Sequence, residues 1–175
     1  MRTIETSSES EFAEQVLSAA KKYDGIGRFV SHRAIVNCHG QPLAECLEHG
    51  LGPKDFDCTG IVLTSILDVL GVKNPNLSPL RHIEQIASFS EDCPPQQRYA
   101  GILIVQNESS VDVVPDVAAK HPLHCGFLLP DNRIFHASSR TGCVQASWRN
   151  ANEGANDTFV SPLTLAQRIM VDWHS

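Results

Sequence analysis

Apolar positions along this chain recur with two periods, and the switch between them separates a helical half from a strand-rich half. Over residues 10–22, Phe12, Val16, Leu17 and Ala20 return at the spacing of one helix face, with acids early and Lys21-Lys22 late. This predicts an amphipathic helix whose charges suit the macrodipole and whose apolar face packs into a core. The stretch from Ile61 to Leu70 also has helical spacing. Asp57 ahead of it and Gly71 behind it serve as N-cap and C-cap, which predicts a helix over 58–70. Between them, Gly40, Pro42, Gly50, Gly52 and Pro53 predict a loop framing a short helix over 43–48. After Asn74-Pro75-Asn76, a further helix is expected over 79–89, ended by Pro94-Pro95. Strand patterns follow at 101–106, 111–114, 123–129 and 133–138, with another at 143–148. Residues 150–157, rich in Asn, Ala and Gly, read as a loop, and Ser161-Pro162 opens a last helix over 162–173. Helices followed by strands, without an internal repeat, predict a single α+β domain over 1–175, with helices packed on one antiparallel sheet.

The placement of Cys58 carries chemistry. Directly after the capping Asp57, it falls in the first turn of the 58–70 helix, where orphan amides and the positive end of the macrodipole favour a thiolate. A thiol nucleophile needs a base, and the base needs a group to orient it. The segment from His124 to Ser139 supplies candidates. Pro130-Asp131-Asn132 is a turn signal flanked by apolar runs of strand length, hence a β-hairpin. Alternation puts His124, Gly126 and Leu128 on one face together with Ile134 and His136. A pairing centred near Pro130 sets His124 opposite His136. The plain alternatives are a small buried cysteine and two unrelated histidines among the eight in the chain.

Taken together, these segments resemble the NlpC family of cell-wall cysteine peptidases. Asp57-Cys58-Thr59-Gly60-Ile61-Val62 is similar to the family's Asp-Cys-Ser-Gly-Leu-Val motif. His124-Cys125-Gly126-Phe127-Leu128 is similar to its His-Val-Gly-Ile-Tyr strand, and Ile134-Phe135-His136-Ala137 to its Ile-His-Ala segment. The third polar residue follows the histidine by the family's spacing, 136 − 124 = 12. Ala100-Gly101-Ile102-Leu103-Ile104-Val105 lies where the family has Pro-Gly-Asp-Leu. The resemblance spans roughly residues 30–147. It implies a papain-like fold, with Cys58 as nucleophile, His124 as base and His136 as orienting residue. It also implies a peptidoglycan stem peptide as substrate, cleaved through a thioester. The departures are Thr59 in place of serine, no tyrosine in the 34–40 segment, Ile102 in place of aspartate, and a polar insertion over 107–121.

Composition narrows the remaining choices. A net charge of −6 without a lysine/arginine run argues against nucleic acid or an anionic membrane as partner. No apolar run approaches the ~18 residues of a membrane span, so no membrane insertion is expected. The N-terminal residues lack a signal-peptide core, which predicts a cytoplasmic protein or one exported by a specialised route. The six cysteines, at 38, 46, 58, 93, 125 and 143, form no C-x-x-C pair and are read as mostly reduced. His121, His124 and Cys125 with Cys38-His39 crowd metal ligands. Structural zinc, however, pairs its ligands at short spacing on both sides of a loop, so neither metal nor cofactor is expected. Arg33, before the Cys58 segment, and Arg140, just after the His136 strand, are with Asp57 the candidate substrate contacts. Two other readings stay open. One is a binding module on the same fold, with a protein partner or inhibitor; the other is a thiol acyltransferase or deamidase on a different substrate.

Overall fold

The helical periodicities become long helices laid against one sheet. The protein is described as a computed structural model over residues 8–30, 50–73, 75, 77, 80–92, 98–106, 123–148 and 157–174. Helix α1 (Glu9–Lys21) starts at Ser8, which forms a capping box with Glu11. Helix α2 (Cys58–Leu70) begins at Asp57 and stops at Gly71, whose left-handed conformation (φ 66°) is the C-cap expected of glycine. Helix α4 (Pro162–His174) closes the described chain, and α1, α2 and α4 contact one another.

The strand-rich half forms one five-stranded antiparallel sheet. Strands β3 (Ile102–Gln106), β4 (Leu123–Leu129), β5 (Arg133–Ala137), β6 (Val144–Trp148) and β7 (Thr158–Val160) lie in the order β6-β5-β4-β3-β7. The architecture is therefore α+β, with four helices and this sheet among the described residues. Alternation divides the sheet side chains. Ile102, Ile104, Cys125, Phe127, Phe135 and Val160 join the main core with Ile61, Val62 and Ile66 of α2, whereas Leu103, Val105, Ile134 and Phe159 form a smaller cluster. Full burial of each α2 aliphatic contributes about 1.5–3 kcal/mol, so the helix is held chiefly by its packing face.

Four elements differ from expectation. The helix expected over 79–89 shrinks to α3 (Ile83–Ala87), because His82 is extended (φ −95°, ψ 138°) and Arg81 turns its side chain into the core. Strand β7 has no strand-length pattern in the sequence and exists through its pairing with β3. Strands β1 (Arg28–Phe29) and β2 (Asp55–Phe56) form a two-residue parallel pair, too short to show a period. Its Arg28–Asp55 ion pair, 2.9 Å long, is solvent-exposed and adds little. The helix expected over 43–48 and the strand over 111–114 lie outside the described residues.

The loop before α2 is fitted tightly against its first turn. Gly50 accepts from the Asp57 amide at 3.0 Å, and a Cβ added to Gly60 would fall 1.7 Å from the Gly50 carbonyl oxygen. Helix propensity alone would make Gly60→Ala stabilising by about 1 kcal/mol. Overlap with an immobile backbone atom reverses the sign, and the variant should lose about 1–3 kcal/mol in urea denaturation. A stability equal to or above wild type would show that the loop yields freely.

Candidate active site

The site is organised at the start of α2. Asp57 is extended (φ −93°, ψ 177°) and accepts from the Gly60 amide at 2.6 Å. Its carboxylate is also gripped by Arg81, with Nη1 donating to Oδ1 at 2.9 Å and Nη2 to Oδ2 at 2.5 Å. The Arg81 side chain is fully buried. Thr59 completes the cluster: its hydroxyl accepts from Arg81 Nη1 and lies 3.1 Å from both the Arg81 carbonyl oxygen and Asp57 Oδ1. Burial pushes the Asp57 carboxyl up to about 6, while Arg81 and the Gly60 amide pull it down and the nearby Cys58 charge adds to the rise. Asp57 was expected to be both a cap and a weak substrate contact. Its capping role holds, but at 4% exposure, with both oxygens taken by Arg81, it faces the interior and not a substrate. Nothing in the sequence singles out Arg81. The only trace of it there is an arginine between the apolar Leu80 and Ile83, which is also the pattern of a solvated helix face.

Cys58, half-buried, is met by two successive residues of β4. The Cys125 thiol donates to the Cys58 carbonyl oxygen at 3.3 Å, and both His124 and Cys125 lie close enough to the Cys58 thiol to lower its pKa. His124 in turn contacts His136, with Nε2 2.5 Å from Nδ1 and the rings edge-on, centroids 4.8 Å apart. His136 Nε2 then lies 2.9 Å from Ser147 Oγ on β6. Both histidines are buried. The structure thus brings Cys58, His124 and His136 together, and adds Ser147, which sequence alone had no means of selecting from the polar residues of an edge strand.

The hairpin reaches this arrangement in a register different from the expected one. The β4–β5 pairs are Leu129↔Arg133, Leu128↔Ile134 and Phe127↔Phe135, centred on Asp131 and not on Pro130. The reason is a three-residue turn, Pro130–Asn132, in which Asp131 (φ 65°) and Asn132 (φ 59°) both adopt left-handed backbone. Continued by one pair, that register sets Gly126 across from His136, and His124 meets His136 on the diagonal. Facing residues are unchanged because the shift preserves parity. Gly126 is what opens the diagonal, since a Cβ there would lie 2.8 Å from His136 Cβ and 2.7 Å from the Phe135 carbonyl oxygen.

The electrostatics separate the two sulfurs. The hydrogen bond from Cys125 is the main influence holding the Cys58 thiol well below its ordinary value. The contact and charge of His124 and the Cys125 amide also lower it, against the opposing effect of burial. The same bond, with burial, drives Cys125 well above its ordinary value. One sulfur is prepared as a thiolate and its neighbour is kept as the donor. Arg140 stands exposed in the turn between β5 and β6, whereas Arg33 lies outside the described residues. No group of three or more metal-ligating side chains that could hold an ion occurs among the described residues, and Cys38, His39 and His121 lie outside them. No described helix is long and apolar enough to cross a membrane. No protein-family model and no curated protein matches the chain.

Two outcomes test this description. Arg81→Met leaves a buried carboxylate uncompensated and should cost about 3–5 kcal/mol at pH 7 by urea denaturation, with Asp57→Asn/Arg81→Met recovering much of it. Without Arg81 the folded-state pKa of Asp57 rises above its present value of about 6, while the unfolded value stays at about 4. The native state then holds the extra proton across that window, so stability falls as pH rises through it. The deficit of Arg81→Met should therefore be largest at neutral pH and shrink toward pH 4; a deficit independent of pH would refute the pairing.

For the thiols, an ordinary cysteine is only about 1% thiolate at pH 6.5. Iodoacetamide at that pH should label Cys58 ahead of Cys125 and Cys143, as read by peptide mapping. First reaction at Cys143 would contradict the assignment.

Proposed function

We propose that this protein is a papain-like cysteine peptidase or amidase, similar to the NlpC family, that hydrolyses a peptide bond in peptidoglycan stem peptides. The observation that carries the proposal is the hydrogen-bonded chain running from His124 through His136 to Ser147, with Cys58 at the helix N-terminus beside His124. A base and two successive orienting groups behind a thiolate at a helix N-terminus are the parts that acyl transfer requires. The stem-peptide substrate rests on the resemblance of the motifs around Cys58, His124 and His136.

The hydrogen bonds give the chain a direction. With Nε2 of His124 engaged by His136, Nδ1 remains for Cys58. An imidazolium at His124 donates from both nitrogens, so His136 must accept at Nδ1 and carry its own proton on Nε2, which donates to Ser147 Oγ. Ser147 therefore selects the His136 tautomer, and His136 holds the His124 ring in place. In the forward step, Cys58 Sγ attacks the amide carbonyl. The Cys58 amide and the α2 N-terminus stabilise the developing oxyanion. His124 delivers its Nδ1 proton to the departing amine, leaving a thioester. Water, deprotonated by His124, then attacks the thioester; the carboxylic product leaves and the Cys58–His124 pair is restored. Arg140 is the described cation proposed to meet a stem-peptide carboxylate.

Incubation with purified muropeptides of several chemotypes, followed by mass spectrometry, should yield a cleaved stem. Cys58→Ala and His124→Ala should abolish turnover with an unchanged circular dichroism spectrum. His136→Asn should retain part of it, because an amide can still accept from His124 Nε2. Equal loss in His136→Asn and His124→Ala would overturn the division of roles. Absence of product from every chemotype, with Cys58 still reactive, would point to a different acyl substrate.

A further inference from the structure

Hydrolysis uses Cys125 only to lower the pKa of the Cys58 thiol, yet its sulfur is itself a redox-active group. Its side chain is fully buried in the main core cluster. Its thiol donates to the Cys58 carbonyl oxygen at 3.3 Å, which sets the two cysteines side by side, and its presence also lowers the pKa of the Cys58 thiol. Both cysteines are free, as is Cys143. Cys143 belongs elsewhere, its sulfur contacting Thr141 and Gln145. Cys58 is anchored by the first turn of α2, and Cys125 by its pairing with Ile104 of β3. A half-buried cysteine and a fully buried one are therefore held next to each other on two rigid elements.

We propose that Cys58 and Cys125 form a peroxide-responsive dithiol in which Cys58 meets the oxidant and Cys125 resolves the product to a disulfide. In the first step the Cys58 thiolate attacks one oxygen of hydrogen peroxide. An S–O bond forms, the O–O bond breaks, and the departing hydroxide takes a proton from His124 and leaves as water. Sulfur loses two electrons and becomes a sulfenic acid. In the second step the Cys125 sulfur attacks the Cys58 sulfur. The S–S bond forms, the S–O bond breaks, and hydroxide leaves with the Cys125 proton as water. Two thiols and one peroxide thus give one disulfide and two waters, and a dithiol reductant reverses the change by exchange. The disulfide removes the thiolate, so turnover stops. That regulatory meaning rests on the hydrolase reading above, whereas the oxidation itself needs only the two sulfurs. Cys125 also protects Cys58, because a resolved sulfenic acid does not proceed to the irreversible sulfinic state.

The experiment treats the reduced full chain with a small molar excess of hydrogen peroxide at pH 7, blocks remaining thiols with iodoacetamide, and maps peptides without reduction. The expected result is a linked Cys58–Cys125 peptide pair lacking two hydrogens. Dithiothreitol should revert it and restore labelling at Cys58. In Cys125→Ala the same treatment should carry Cys58 to sulfinic acid that dithiothreitol leaves unchanged. Cys125→Val, which conserves more volume, serves if the alanine variant fails to fold by circular dichroism. Cys143→Ala should behave as wild type. Sulfinic acid at Cys58 beside free Cys125 in the wild type would overturn the proposal. So would a disulfide from Cys58 to another cysteine, or no oxidation of Cys58. These readouts use no substrate, so a protein inactive on muropeptides can still pass and an active hydrolase can still fail.

Discussion

The buried pair between Asp57 and Arg81 is the interaction on which the rest of the site depends. Removing a carboxylate and a guanidinium from water costs several kcal/mol per ion, and their attraction offsets this only when geometry and remaining hydrogen bonds are complete. Here they are. Arg81 is bidentate on Asp57, Asp57 also caps the Gly60 amide, and Thr59 fills a place between the two. The pair binds the first turn of α2 to the segment entering α3, which itself contacts β4 and β7. Cys58 follows Asp57 directly, so a charge pair with no part in the proposed chemistry sets where the sulfur stands.

Opposite that turn, the geometry comes from the sheet. The three-residue turn at Pro130–Asn132 sets the register of β4 on β5, and Gly126 leaves the space through which His136 reaches His124. The β5–β6 register pairs Ile134 with Ser147 and His136 with Gln145, so the His136–Ser147 contact is again a diagonal one on a single face. Two diagonal steps across three neighbouring strands carry the hydrogen-bond chain. Such contacts lie within reach of an imidazole, though not of a short side chain at the same spacing.

The contact between Cys125 and Cys58 also separates the two sulfurs. The Cys125 thiol donates toward Cys58, lowering one pKa and raising the other. Full burial removes any route by which Cys125 could compete for an external electrophile. Thiolate preparation at Cys58 is thus shared between the helix terminus, a histidine and a second cysteine, and a neutral donor at Cys125 adds no like charge beside the thiolate.

Much of this was legible in the residue order, because it follows from local rules. Helices α1, α2 and α4, the strands β3 to β6, the Asp57 cap, the Gly71 stop and the grouping of His124 with His136 all follow from periods and end signals that a few neighbouring residues carry. Even the error in hairpin register kept the histidines on one face, since side-chain alternation has period two. What the chain order left unstated depends on partners distant in sequence. Arg81 meets Asp57 across 24 residues, Cys125 meets Cys58 across 67, and Ser147 meets His136 across 11. A buried arginine and a solvated one look alike in sequence, and so do a resolving cysteine and a packing one. The inward turn of Asp57, the shortening of α3 and the strand character of Thr158–Val160 were decided by tertiary contact, because burial and pairing outweigh local propensity once the core has closed.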